Sequence, residues 1–428
     1  MTDASITGVV LPTIAADLDI DDSQVVLVAT SYPLILAMLL MPMAALGDRI
    51  GHRRLYRGGL VLHGFAAILC LLVDSLPELI AARSLQAVGT AASLSVVFGL
   101  LRMVYPAEHI GRGVAVNAVA NISGTSLAPA VGGLIVSLLS WRWVFTAMLP
   151  FSILVLLCSR VIPESIPQKR PFDTRGAVLC AATFGLLIIG LEVAIRGPGL
   201  WVALPVLSVG LLVAWWFVRH EMGESHPVLP INLLARWPLA LAFMSSLSAV
   251  LAATTLLLFM PFRLQNGFGF SPGEVGGLLA TYAVASASVS PLAGYLSDRV
   301  SVPLLCTLGA ILVVGGLFCL SALPQAPGKW NIIWRLWLCG AGFSLFFSPN
   351  VRFILGTAPV HQAAAAGSMV STTRMFGQAM GASMVAGLLA LGFGSGSAPL
   401  FVSAFLITLA GLISLMRLLS SGRGTTEP

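Results

Sequence analysis

The chain has 428 residues, of which 57% are hydrophobic and only 9% charged, and its mean hydropathy is +0.95. A soluble domain carries roughly 25% charged residues, so the composition excludes a soluble enzyme, leaves no polar block for a separate soluble domain and points to one polytopic membrane unit. The formal net charge of +6 belongs to loop arginines and lysines rather than to a nucleic-acid surface, since basic patches with interleaved aromatics are absent.

With about twenty apolar residues to a crossing, the chain divides into fourteen spans. The first, 2–17, would rise only about 25 Å as a helix, so the true first helix is expected to begin upstream of Met1; the alternative is a short helix with its amine in the headgroups. The acidic turn Asp17-Leu18-Asp19-Ile20-Asp21-Asp22 leads into a second span at 25–46. That span ends in Gly47-Asp48-Arg49-Ile50-Gly51-His52-Arg53-Arg54, a charged turn between two apolar runs, and a third span follows at 56–73. Spans at 79–101, 114–139 and 143–159 complete a first group, and 176–195 and 200–218 form a pair. The last six fall at 238–262, 273–296, 303–323, 332–355, 366–391 and 398–416. Alternation across the bilayer gathers most basic residues, from Arg49, Arg53 and Arg54 to Arg417 and Arg423, on one side. Only Arg142, Arg196, Arg263, Lys329 and Arg335 fall on or near the other. Because cytoplasmic loops carry the excess of Lys and Arg, both termini are expected in the cytoplasm, with the protein in the inner (plasma) membrane.

Cys70, Cys158, Cys180, Cys306, Cys319 and Cys339 all lie within apolar runs and lack C-x-x-C spacing. They read as small buried hydrophobes, with no disulfide, metal or cofactor site. The start of the chain shows neither a basic segment nor a small-residue cleavage site of a secretory signal.

Leu46-Gly47-Asp48-Arg49-Ile50 recurs as Leu296-Ser297-Asp298-Arg299-Val300, again at the end of a span. Arg83, opening the fourth span, has its counterpart in Arg335, opening the twelfth. The repeat offset exceeds six spans by about two, which are the pair at 176–195 and 200–218. The expected architecture is all-α: two six-helix bundles related as parallel repeats, 1–160 and 237–428, with two additional helices inserted between them in 161–236.

Gly47-Asp48-Arg49-x-Gly51-x-Arg53-Arg54 closely resembles the loop motif of the major facilitator superfamily. Arg83-x-x-Gln86-Ala87-x-Gly89 is similar to its fourth-helix motif, with alanine at 87 where that family has glycine. Ala128-Pro129-x-x-Gly132-Gly133, followed by Trp141-Arg142-Trp143-Val144-Phe145, resembles its fifth-helix antiporter motif, with Ala128 in place of glycine. Asp3-x-x-Ile6-x-x-Val9-x-Leu11-Pro12 looks like the first helix from its middle onward. Pro171-Phe172-Asp173 and Pro227-Val228-Leu229-Pro230 resemble boundary sequences of the fourteen-helix drug:proton antiporter branch. The resemblance implies the major facilitator fold, export of lipophilic or cationic small molecules in exchange for protons, and a coupling role at Arg83.

An ionisable side chain within hydrocarbon is costly unless it faces a partner or a wet cavity. Asp3 is the one carboxylate in the body of a span, Glu192 stands toward the end of the seventh, and the bases are Arg83, Arg352 and Arg374. Asp3 and Arg83 are expected to face a central cavity, where Asp3 takes up and releases a proton; the plainer reading makes Arg83 a snorkelling residue. Arg352 and Arg374, near their helix ends, read as structural. The turn residues Gly47, Asp48, Arg49, Gly51, Arg53 and Arg54, with Asp298 and Arg299, read as a gate, with anionic headgroups of membrane lipids on the arginines; the plain alternative is a basic loop. Gly124, Pro129, Gly132 and Gly133 give a helix that packs closely and bends, which the resemblance implies is a gating hinge, and Gly377-x-x-x-Gly381 and His63 read as packing. Tyr32, Gln86, Asn121, Gln265 and Tyr282 are the expected cavity-wall residues.

No Gly-x-x-x-x-Gly-Lys-Ser/Thr loop is present, so an ion gradient rather than ATP on this chain must supply the energy. Exchange of one proton for one monovalent cation moves no net charge, so a lone carboxylate suits neutral or singly charged cargo better than dications. The expected partners are a small molecule, protons and lipids, with no nucleic acid and a single subunit. The rival readings are a same-fold exporter of a specific metabolite and a non-transporting sensor. The acidic turn is too isolated to make an intramembrane enzyme.

Overall fold

The computed structural model describes residues 2–104, 124, 128–164, 173–196, 200–223, 233–358, 363–394 and 396–421. Within them the regular structure is helical throughout. The helices are α1 (Thr2–Asp17), α2 (Asp22–Ile50), α3 (His52–Leu69), α4 (Leu76–Ser95), α5 (Val97–Val104), α6 (Ala128–Leu138), α7 (Leu149–Cys158), α8 (Thr174–Arg196) and α9 (Leu200–Gly223). They continue with α10 (Trp237–Phe262), α11 (Pro272–Leu296), α12 (Val302–Ser321), α13 (Lys329–Thr357), α14 (Ala363–Ala390) and α15 (Ala398–Ser421). α4 and α5 meet at Val96 and form one crossing, which leaves fourteen among the described residues. Of these, ten are long and apolar enough by themselves to span a bilayer, and Ile6–Asp17 and Ala128–Leu138 are shorter apolar pieces. The architecture is that of two six-helix bundles with α8 and α9 inserted between them.

The expected charged turn is much tighter than its sequence suggests. α2 runs on through Asp48 and Arg49 to Ile50, and α3 starts at His52. The whole reversal is made at Gly51, whose φ of 101° lies in the left-handed region that a side chain disfavours. At Gly47 an added Cβ would stand 2.5 Å from Val96 Cγ1, so this glycine lets α2 seat against the break between α4 and α5.

The internal repeat is visible in the packing. Tyr32 and Tyr282, Asp48 and Asp298, and Gly59 and Gly309 are each separated by 250 positions (282 − 32, 298 − 48, 309 − 59). In the first bundle α3 crosses α4 at Gly59 and Gly89, where a Cβ on Gly59 would lie 2.6 Å from the Gly89 carbonyl oxygen. In the second, α12 crosses α13 at Gly309 and Gly342, where the equivalent distance is 2.7 Å. Backbones this close gain dispersion energy over the whole crossing, which holds helices together where lipid offers no hydrophobic drive.

The bundles meet along α2 and α14, and α1 packs on α10 and α11. α10 is buried along most of its length, as expected of a helix walled by other helices on all sides. The inserted pair packs on itself, and α8 rests on α2 and α14, covering the seam from outside. Four of the six cysteines are buried as expected; Cys158 is exposed and Cys319 intermediate, because α7 and α12 turn part of their apolar surface outward.

Candidate transport site

Two ends of the molecule can be told apart by their turns: an acidic end, with Asp17 to Asp22, and a basic end, with Gly51. At the acidic end Arg142 gathers three segments. Its guanidinium is 3.2 Å from Asp17 Oδ2 and 3.2 Å from Asp74 Oδ1, and its Nε donates to the Val73 carbonyl at 2.9 Å. Trp141 Nε1 donates to the same Asp17 oxygen at 2.8 Å. The two bundles also join here. Gln265 donates to the Val9 carbonyl at 3.0 Å, and Asn266 to Asp22 Oδ2 at 2.8 Å. α6 meets α11 glycine to glycine, where a Cβ added to Gly276 would stand 2.5 Å from the Pro129 carbonyl oxygen and 2.9 Å from Gly133 Cα.

Gln265, expected as a cavity wall, is held against Val9 of α1, where the end of α10 widens to a π-helix at Arg263–Gly267. Gly132 and Gly133 are contact points with Ile6 of α1 and with α11. A bend at Pro129 is not needed to explain them. Gly124 is helical, and Asn121 lies outside the described residues.

About two turns in from the acidic end of α4 sits Arg83, which has no exposed surface and so does not snorkel. Neither does it line an open cavity: its guanidinium is enclosed by α1, α2, α4 and the turn before α7. Nη1 donates to Gln86 Oε1 at 2.6 Å and Nη2 to Thr7 Oγ1 at 3.4 Å. The Tyr32 and Phe145 rings lie 4.4 and 4.9 Å from its central carbon, offering their negative faces to the cation. Gln86, fully buried, passes its own amide on to the Phe145 carbonyl at 3.2 Å. Tyr32 donates to Thr90 Oγ1 at 2.8 Å, and His63 Nδ1 meets the same hydroxyl at 2.9 Å, the packing role expected of it. Asp3 stands one helical turn before Thr7 in α1; its side chain lies outside the described residues.

In the second bundle the main feature is one that the sequence does not announce. α14 presents Met375 to α2, Phe376 to Phe184 of α8 (ring centroids 5.1 Å apart), and Gly377 and Gly381 to Val250 and Thr254 of α10. At 100° per residue, Arg374 and Gln378 take the sector left between α2 and α10, which is the space between the bundles. Arg374 is exposed there although it stands about three turns inside its helix. Tyr282 is partly exposed and edge-on to Phe343, 6.1 Å away. Arg374 stands well inside α14 rather than near its end, and the direction it faces is set by the neighbours of α14.

The residues expected to form a gate divide. Asp48 is 3.4 Å from His52, one turn on, and Arg53 is 3.6 Å from Glu164. Arg49 and Arg54 are exposed. Asp298 pairs with Arg352 of α13, which also donates to the Gly294 carbonyl, while Arg299 lies over the Tyr295 ring at 4.6 Å. Deeper at that end Arg417, 1% exposed, donates to Asn350 Oδ1 at 2.6 Å and covers Phe353 at 4.1 Å. Glu192 accepts from Ser383 of α14 at 2.5 Å, joining the inserted pair to the second bundle. Among the described residues no cluster of three or more His, Cys, Asp or Glu side chains is arranged to hold a metal ion.

A family model described as Major Facilitator Superfamily matches residues 1–258 and 242–427. The chain belongs to that superfamily. It is 37% identical to the uncharacterized transporter YebQ of Escherichia coli over 97% of this chain and 92% of that protein. It is 30% identical to the multidrug resistance protein Stp of Mycobacterium tuberculosis, over 91% and 73% of the two chains. Among solved structures, a POT family transporter in complex with 5-aminolevulinic acid superposes with a TM-score of 0.71 at 16% identity, over 99% of this chain and 94% of that one, a likeness of fold. As a Major Facilitator Superfamily protein the chain is a multi-pass membrane transporter.

Proposed function

We propose that this transporter expels lipophilic small molecules by alternating access, in exchange for protons, as a member of the fourteen-helix drug:proton antiporter branch. The observation that carries the reading is the polar chain Thr7, Arg83, Gln86 and Phe145 in an otherwise apolar bundle. A fully desolvated guanidinium is expensive to keep in a membrane protein unless its field is used. Asp3, one turn from Thr7 on the same helix face, is the carboxylate whose protonation that field controls: ionised, it is held by Arg83, and protonated, it releases it. The multidrug resistance relative supports a drug cargo. Of the cargo classes expected from sequence, lipophilic compounds fit the apolar interior directly, and cations would depend on Asp3 alone.

The bundles are taken as 1–160 and 237–428, with 161–236 between them, and the protein as a monomer in the inner membrane with its basic end and both termini in the cytoplasm. Asp48, Arg49, Arg53 and Arg54 with Asp298 and Arg299 then form the cytoplasmic gate, and the Gln265 and Asn266 bonds the outer one. The test is proton release on adding an exported dye to purified protein in weakly buffered detergent solution. Wild type should release protons, and Asp3→Asn should release at least tenfold fewer; equal release by both excludes Asp3 as the coupling acid.

A further inference from the structure

Of the described contacts that tie the bundles at the acidic end, one carries a titrating group. Gln265 bonds to a backbone carbonyl and α6 seats on α11 through glycines, but Asn266 Nδ2 donates to a carboxylate, Asp22 Oδ2, at 2.8 Å. Each partner stands on a turn held by its own bundle. α1 closes with the Leu18 amide on the Ile14 carbonyl and the Ile20 amide on the Ala15 carbonyl, around Asp19 at φ 50°, and α2 starts at Asp22. Asn266 lies in the π-turn that Arg263 anchors to the Leu320 and Ser321 carbonyls at 3.3 and 3.4 Å.

The charges around Asp22 leave it without a cation among the described residues. On its own side Asp17 is taken by Arg142 at 3.2 Å, while Asp19 and Asp21 are exposed and of like sign. On the other side Arg263 is turned to the end of α12, and Lys329 is 2.7 Å from Glu274. Bringing the bundles together here withdraws the Asp22 carboxylate partly from water and gives it one neutral amide in exchange. An ionised carboxylate moved that way loses more hydration than one such bond returns, whereas the protonated acid loses little and still bonds to the amide. The joined end is thus the form that favours a proton on Asp22.

We propose that Asp22 is a second proton site of the transport cycle, and that a proton on it lets the acidic end shut. This deepens the reading as a proton exchanger and rests on it. In such an exchange the protein must return from outward-open to inward-open with its proton aboard, and Asp22 makes closure of the outer end depend on that load.

Hydroxyl-radical footprinting of the purified protein in detergent, read by mass spectrometry at Leu258, supplies the test. Leu258 of α10 is 6% exposed and its Cδ2 lies 3.3 Å from where a Cβ on Gly8 of α1 would stand, so its oxidation reports separation of the bundles, with exposed Phe393 as the dose reference. Wild type should oxidise at Leu258 at least twofold more slowly at pH 4.5 than at pH 8.0. Asp22→Asn, with the charge gone and an amide bond still possible, should show the slow rate at both pH values. Asn266→Asp, which sets two carboxylates face to face, should be at least twofold faster than wild type at pH 8.0. Asp22→Asn oxidising at pH 8.0 as fast as wild type or faster, the result expected of a purely structural tie, would overturn the proposal. So would a wild-type rate that does not fall in acid, or Asn266→Asp no faster than wild type at pH 8.0. The wild-type comparison needs no variant to fold. No cargo enters the assay and Asp3 stays intact, so equal proton release by wild type and Asp3→Asn would leave Asp22 standing, and failure at Asp22 would leave export standing.

Discussion

Arg83 and Arg417 are both nearly or wholly buried guanidiniums, each bonded to a side-chain amide, Gln86 in one bundle and Asn350 in the other. Removing such an arginine leaves a buried amide acceptor unsatisfied, at a cost of about 1–3 kcal/mol, before any lost aromatic contact is counted. Arg417→Leu is expected to lower the thermal midpoint of the purified protein by several degrees with dye binding preserved. Arg83→Gln should instead cut transport far more than it cuts stability. An Arg417→Leu protein as stable as wild type would show that the Asn350 bond contributes nothing. Arg83 is legible in the sequence because an arginine in an apolar run has few bland explanations. The direction Arg374 faces is not, since it depends on which neighbours take the other faces of α14, and those include α2 and α10, more than a hundred residues away in the chain.

Elements are easier to read from sequence than contacts. Each of the fourteen apolar runs carries a helix, because a helix is the only open-ended element whose backbone bonds are satisfied within hydrocarbon. Gly47–Arg54 reads as a loop by its charges, yet those charged residues are tolerated in a helix, and only Gly51 breaks it. The paired crossings Gly59/Gly89 and Gly309/Gly342 are invisible in the sequence, because a glycine in a membrane span looks the same whether it touches a helix or lipid. They are testable as a pair. Gly342→Leu drives a side chain into the Gly309 carbonyl and Val313, and overpacking of this kind costs about 1–3 kcal/mol. The variant should unfold at a lower temperature, and Gly315→Leu, a position with nothing within 4 Å of an added Cβ, should not. Equal midpoints for the two would refute the crossing.

At the scale of the whole molecule, the described residues tie the two bundles together at the acidic end. Gln265 on Val9, Asn266 on Asp22, and the seat of α6 on α11 all tie one bundle to the other there. Loss of the neutral Gln265 bond alone shifts a two-state equilibrium by about 0.5–1.5 kcal/mol, a factor of roughly 2 to 12 in population. Gln265→Leu together with Asn266→Leu is therefore expected to raise the labelling rate of a cysteine placed at Thr13 by an impermeant maleimide; an unchanged rate would show that these bonds do not hold the end shut. At the other end the ion pair of Asp298 with Arg352 lies within one bundle and steadies that bundle's turn. The central claim is that rocking of the two bundles is tied to proton flow. It is tested most directly by reconstituting the purified protein into liposomes and imposing a pH gradient, acid on the side opposite a trapped fluorescent cargo. The account predicts cargo movement against its own concentration gradient that stops when nigericin, with equal potassium on both sides, collapses the pH difference. Movement that continues unchanged after the collapse, or that only ever runs downhill, would contradict it.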